Sequence, residues 1–177
     1  KAAAAGAGAV VGGCAFDAAV IEPGWVELTR PVIALPGLPP EWDGLRIALL
    51  ADPHYGDINT AEFLGEVFDR ASAEADLAVL VGDYGGWTAG QIPALSRLFG
   101  RIRAPLGAFA VPGNHDCDPY ARGYERILSG ADIRLLINAH SMIRRGAARL
   151  AVVGLDDLIN GRPDVATALA GVDSDVP

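Results

Sequence analysis

Three short apolar runs, each closed by a polar residue, constrain this chain more than anything else in it. They are "LRIALLAD" (45–52), "DLAVLVGD" (76–83) and "GAFAVPGN" (107–114). The closing residues Asp52, Asp83 and Asn114 follow one another at an equal step of 31 residues. Continuous apolar runs of this length, bounded by turn residues, read as strands buried on both faces. Helical patterns lie between them. Phe63, Leu64, Val67, Phe68 and Ala71 form one face over 60–75, with Asn59 and Glu62 at its start. Ile92, Leu95, Leu98, Phe99 and Ile102 do the same over 89–102, where Pro93 is tolerated in the first turn. The order β-α-β-α-β predicts an α/β fold with parallel strands and crossover helices. One such unit takes roughly 30 residues. The three polar residues should therefore emerge together at the carboxyl ends of neighbouring strands, the edge where open α/β sheets take their ligands.

Beyond 116 a short helix is expected over 119–129, ending at Gly130, then a strand at 133–137. A hairpin around Arg145–Gly146 follows within 141–157. Upstream, residues 22–44 are rich in Pro and Gly and read as a connector, with one edge strand in "WVELTRPVIAL" (25–35), since Pro31 disfavours a central one. Residues 1–21 begin with Lys1 and a run of small apolar residues free of charge until Asp17. They resemble the end of a secretory signal or membrane anchor, the alternative being a buried Ala/Gly-rich helix. The expected organisation is thus 1–21 as anchor remnant, 22–44 as connector and edge strand, and 45–177 as the folded domain.

The 177 residues suffice for one domain with a real core, and 51% hydrophobic with 20% charged residues suits a globular protein. A formal charge of −8 and no basic stripe argue against nucleic acid as a partner. Two cysteines, Cys14 and Cys117, are too few for a disulfide scaffold. The G-x-G-x-x-G fingerprint, the P-loop, G-x-S-x-G and H-E-x-x-H are all missing, which sets aside nucleotide-cofactor and serine or zincin chemistry.

The neighbours of the three closing residues bring in chemistry. "ADPHYGD" pairs Asp52 with His54 at i, i+2, which in an extended chain places carboxylate and imidazole on one side. "VGDYGG" carries Asp83 after Gly82, a residue that lets the backbone turn tightly. A carboxylate bridges two cations better than an amide does. "GNHD" carries Asn114, a neutral oxygen ligand, followed by His115 and Asp116. Mixed imidazole, carboxylate and amide donors suit manganese, iron or zinc. Each piece alone is compatible with an ordinary turn; the three in order, at equal spacing on successive strands, are not.

"DPHYG", "GDYGG" and "GNHD" resemble the D-x-H, G-D and G-N-H-D/E blocks of calcineurin-like metallophosphoesterases. The upstream stretch is similar to that of the membrane-anchored or exported bacterial subgroup of YkuE type. The resemblance covers about residues 20 to 177. It implies a parallel β-α-β-α-β core within a two-sheet sandwich with flanking helices, and a hydrolase of phosphoester, phosphodiester or pyrophosphate bonds with two divalent metal ions (Mn, Fe or Zn). Asp52 and His54 would hold the first metal, Asp83 both, and Asn114 the second. A hydroxide between the metals would attack phosphorus in line. His115 would protonate the leaving oxygen, oriented by Asp116, since an imidazole partnered by a carboxylate keeps its proton to higher pH. The substrate would be a phosphorylated small molecule or a lipid-linked phosphate. The location would be membrane-associated or exported, with cytoplasmic as the alternative.

The family completes its metal sites with later histidines in a "GH" and a "GHxH" block. Here the histidines are His54, His115 and His140, and His140 in "NAHSM" matches neither block. The resemblance therefore implies that three further ligands and the carboxyl-terminal part of the domain belong beyond Pro177. The competing reading is a metal-binding module that does not turn over. Trp25, Trp42 and Trp87 read as packing or rim aromatics. Asp156 and Asp157 are either cleft or turn residues. Arg122 and Arg162 are either phosphate contacts or solvated surface.

Overall fold

The computed structural model describes residues 13–14, 16, 25–56, 59–85, 88, 90–117 and 123–177. Its contacts divide the chain into two units, 1–34 and 35–177. Within the second unit four strands, β1 (Ile47–Ala51), β2 (Leu77–Val81), β3 (Ala108–Val111) and β4 (Ile133–Leu135), form one sheet in the order β1-β2-β3-β4. All three pairings are parallel, with Ile47 opposite Leu77, Ala78 opposite Ala108 and Ala108 opposite Ile133. The expected crossovers are present as α1 (Ala61–Glu74) and α2 (Ile92–Phe99), followed by α3 (Tyr124–Gly130). A two-stranded antiparallel sheet, β5 (Ala139–Arg145) and β6 (Ala148–Gly154), turns at Gly146–Ala147, and α4 (Val165–Ala168) follows it.

Period-two alternation gives the four-stranded sheet two apolar faces. Ala78, Leu80 and Ala110 face the helices and pack with Leu64, Phe68, Leu95, Phe99 and Leu128. Leu77 and Phe109 point the other way, into a second core with Trp42, Leu136 and Ile143, against which Leu150 and Val152 of the hairpin also pack. Trp42 is completely buried, donates its indole N–H to the Arg149 carbonyl, and lies under the Arg145 guanidinium. The result is a helix layer, a parallel sheet and a smaller second sheet, the α/β two-sheet arrangement expected.

Three local expectations are corrected. The edge strand at 25–35 does not form: the segment has no paired strand, Trp25 is exposed, and Pro31 offers no N–H to a ladder. Burial on both faces holds for β3 and for β2 up to Val81 but not for β1, where Ile47 and Leu49 remain 52% and 69% exposed, because β1 is the sheet's edge and the core on their face gathers around Leu77, Phe109 and the hairpin without them. The cap of α1 is Thr60, whose hydroxyl accepts the Phe63 N–H, and not Asn59, whose amide is turned back to the Pro53 carbonyl. Within the expected helix at 119–129 the structure has helix over Tyr124–Gly130; positions 119–122, which include Arg122, and Trp87 lie outside the described residues. So does most of the 1–21 segment.

Candidate metal centre

Beyond the last residue of β1, the chain keeps pairing with the segment after β2. Asp52 N–H donates to the Gly82 carbonyl (3.2 Å), His54 N–H to that of Asp83 (3.1 Å) and Tyr55 N–H to that of Tyr84 (3.1 Å). The two loops are thus laid side by side by main-chain bonds, and their side chains meet. His54 Nε2 lies 3.8 Å from Asp52 Oδ1 and 3.7 Å from Asp83 Oδ2. One donor atom from each of Asp52, His54 and Asp83 falls within 4.8 Å of the others. The His54 separations exceed a hydrogen bond. Two metal–ligand bonds of about 2.1 Å span donor atoms up to roughly 4 Å apart, so they suit a shared cation. Two carboxylates and an imidazole also supply the charge and donor types that a divalent cation takes.

The way Asp52 and His54 come together differs from expectation. Neither is extended: their φ angles are 50° and 42°, and Asp83 has φ 55°. Three of the five non-glycine residues in the left-handed region, among those described, are these three candidate ligands. Asp and His enter that region more readily than most residues, and strain of this kind collects at functional sites.

The third loop closes over Asp83. His115 N–H donates to Asp83 Oδ1 (3.1 Å), which leaves Oδ2 turned toward His54. A Cβ on Gly113 would overlap Asp83 Oδ1, and a Cβ on Gly82, at φ 75°, would overlap the Gly113 backbone. The two glycines of "GD" and "GN" are therefore required by the approach of one loop to the other. The His115 ring is exposed and stands edge-on to that of His54, with centroids 5.8 Å apart and 71° between planes. Asn114 sits between these two contacts, and its carbonyl accepts Asn160 Nδ2 (2.8 Å).

Asp116 anchors the main chain around Asp83. Its buried carboxylate accepts three main-chain N–H groups, from Asp83 (2.7 Å) and Gly113 (2.8 Å) on Oδ2 and from Tyr84 (3.2 Å) on Oδ1. Burial pushes this carboxyl upward, and the three N–H groups pull the other way. It clamps the Asp83 loop to the Asn114 loop. Two residues without any sequence signal complete the frame. Tyr84, completely buried, donates its hydroxyl to the Val111 carbonyl and packs edge-on against Phe99. Asn160 reaches the Asn114 loop from 46 residues away.

The remaining candidates fall to structural roles. Asp156 and Asp157 accept main-chain N–H groups of their own turn. Arg162 is exposed, with its main chain bound to Asp156 and Asn138. His140 lies in β5 with Nδ1 2.9 Å from the Ala168 carbonyl. Cys117 is a free, half-buried thiol that burial pushes up.

The model of the calcineurin-like phosphoesterase family matches residues 45–167. The chain belongs to that family. Its members are metal-dependent phosphoric ester hydrolases, and the matched span contains the loops that carry Asp52, His54 and Asp83. The chain is similar to the uncharacterized metallophosphoesterase YkuE of Bacillus subtilis (strain 168), at 29% identity over 164 residues, 89% of this chain and 57% of the relative. It is also similar to the UDP-2,3-diacylglucosamine pyrophosphatase LpxG of Chlamydia trachomatis, at 32% over 102 residues, 56% of this chain and 31% of the relative. A third relative is a transmembrane protein with metallophosphoesterase domain from Danio rerio, at 27% over 126 residues, 68% of this chain and 29% of the relative. The chain thus spans between under a third and just over half the length of these relatives. No solved structure matches it.

Proposed function

We propose that this chain carries the first ligands of a dinuclear phosphoric ester hydrolase. Its substrate is a phosphorylated small molecule or a lipid-linked phosphate, cleaved at a phosphoester, phosphodiester or pyrophosphate bond. The observation that carries the reading is the convergence of Asp52, His54 and Asp83 at the carboxyl ends of adjacent parallel strands. In this reading Asp52 and His54 would hold one divalent cation (Mn, Fe or Zn), Asn114 would hold the second, and Asp83 would be a ligand shared by the two. When bound, the cations neutralise charge that builds on the phosphoryl oxygens.

The chain's own residues do the rest. His115 N–H fixes Asp83 Oδ1, so the two carboxylate oxygens are presented in different directions. The His115 ring, exposed beside His54, delivers a proton to the leaving oxygen. Asp116, beneath them, is a positioning residue for both loops. The names of the LpxG relatives support a lipid-linked pyrophosphate among the candidates. A membrane-associated or exported location is proposed from the name of the Danio rerio relative; no helix among the described residues is long and apolar enough to cross a membrane.

Titration with Mn²⁺, together with hydrolysis of bis(p-nitrophenyl) phosphate, tests the reading. Saturable Mn²⁺ binding lost in Asp83→Asn, and turnover that falls by about 10²–10⁴ in His115→Ala, are expected. Mn²⁺ binding without turnover above the His115→Ala level favours the module that binds metal and does not react. No saturable binding sinks both.

A further inference from the structure

Asn114 and His115 occupy the middle of a β-turn. Asp116 N–H donates to the Gly113 carbonyl (3.1 Å), which closes the turn. That bond leaves the central peptide, the one joining Asn114 to His115, without a partner inside the turn. It is held from outside at both ends. Its N–H, from His115, donates to Asp83 Oδ1 (3.1 Å), and its carbonyl, from Asn114, accepts Asn160 Nδ2 (2.8 Å). A peptide whose carbonyl accepts a hydrogen bond is a stronger N–H donor, because bonds in a chain polarise one another. Asn160, the peptide and Asp83 thus form one line of bonds, from the turn after β6 to a carboxylate of the candidate metal centre.

Asn160 is itself set in place. Asp157 Oδ1 accepts the N–H groups of Ile159 (2.9 Å) and Asn160 (2.6 Å), and Asp156 Oδ2 accepts that of Arg162 (2.8 Å). Asn138 Oδ1 takes the Asp156 and Asp164 N–H groups at the base. These bonds hold the turn without using the Asn160 side chain, which reaches across 46 positions to Asn114 instead. The turn does not require an amide there; the Asn114 carbonyl does.

We propose that Asn160 is a positioning residue for the metal centre: through the Asn114–His115 peptide it fixes Asp83 Oδ1, and so sets how Oδ2 is presented to the cation shared with Asp52 and His54. The proposal rests on the hydrolase reading above for the presence of that cation. Two measurements on Asn160→Ala test it, one without metal and one with. The first is amide hydrogen exchange of the metal-free chain, followed by NMR. The second is calorimetric titration with Mn²⁺. Ile159→Ala is the control in the same turn, since its side chain is exposed and only its N–H enters the bonding.

In Asn160→Ala the His115 N–H should exchange about five- to tenfold faster, with the amides of β2 unchanged. Mn²⁺ affinity should fall about tenfold, the low end for a group that acts on a ligand through its surroundings. Ile159→Ala should change neither. Unaltered Mn²⁺ affinity in Asn160→Ala overturns the proposal. Weaker Mn²⁺ binding with unaltered His115 exchange overturns it as well, by removing the peptide from the path. So does faster exchange that extends to β2, which would make Asn160 a residue of the fold, and so does an Ile159→Ala variant that reproduces both effects. Failure of the hydrolase reading shows separately, in the parent chain, as the lack of saturable Mn²⁺ binding.

Discussion

Asp116 illustrates how one buried carboxylate holds two loops together. It accepts three N–H groups from two loops that are about thirty residues apart in sequence. An amide in its place would aim an NH₂ at donors and leave at least one buried N–H unsatisfied. Asp116→Asn should lower unfolding free energy by about 2–4 kcal/mol, read from urea denaturation, and should weaken Mn²⁺ binding because Asp83 loses its fixed main chain. Tyr84 beside it works through its proton. Burial first, then the nearby charge of Asp116, pushes its phenol far above the ordinary 10.0. The native state therefore retains a proton that the unfolded chain loses, so this contribution to stability is complete below pH 10 and declines as pH rises above it. Tyr84→Phe should make the alkaline limb of the stability profile shallower by about 1.4 kcal/mol per pH unit. It should also cost about 1 kcal/mol at neutral pH through the lost hydroxyl bond to Val111. An unchanged alkaline slope would show that another group governs it.

The elements contribute by where they stop. β1, β2 and β3 each end within a residue or two of a turn, and the parallel register brings those turns into line. Left-handed backbone at Asp52, His54 and Asp83 then swings three donors inward. The loops lie so close that the glycines between them have no room for a methyl group. Gly113→Ala is the sharpest test, because its new Cβ would collide with the Asp83 carboxylate. The expected outcome is a loss of about 1–3 kcal/mol and, in calorimetry, Mn²⁺ affinity lowered at least about tenfold. Retained affinity would mean that Asp83 is not a ligand.

For the molecule as a whole, a cluster assembled from the separate loops after β1 and β2 should couple metal binding to folding, since the unfolded chain has no such cluster. Free Mn²⁺ at about one hundred times its dissociation constant should add about 2.7 kcal/mol of stability. For a chain of this size that raises Tm by about 5–10 °C. Chelation should reverse the shift and Asp83→Asn should abolish it; equal shifts in the two proteins would place the stabilising metal elsewhere. The exposed aliphatic side chains Ile47 and Leu49 share the face of Leu77 and mark the β1 edge of that face, outside the core that the hairpin closes.

The three strand-closing residues were legible because strand period, helix period and the length of a crossover are local properties, and an equal step of 31 residues leaves few topologies. Parallel order, two crossover helices and the shared edge followed from that alone. The edge strand at 25–35 was misread because alternation says nothing about whether a partner strand lies alongside. Which side of Asp52, His54 and Asp83 faces their shared cluster, what Asp116 clamps, why Tyr84 is buried and how Asn160 reaches Asn114 were decided only by tertiary structure. Those contacts join residues 32, 27 and 46 positions apart. They rest on left-handed turns and main-chain donors, neither of which leaves a periodic trace in side-chain chemistry.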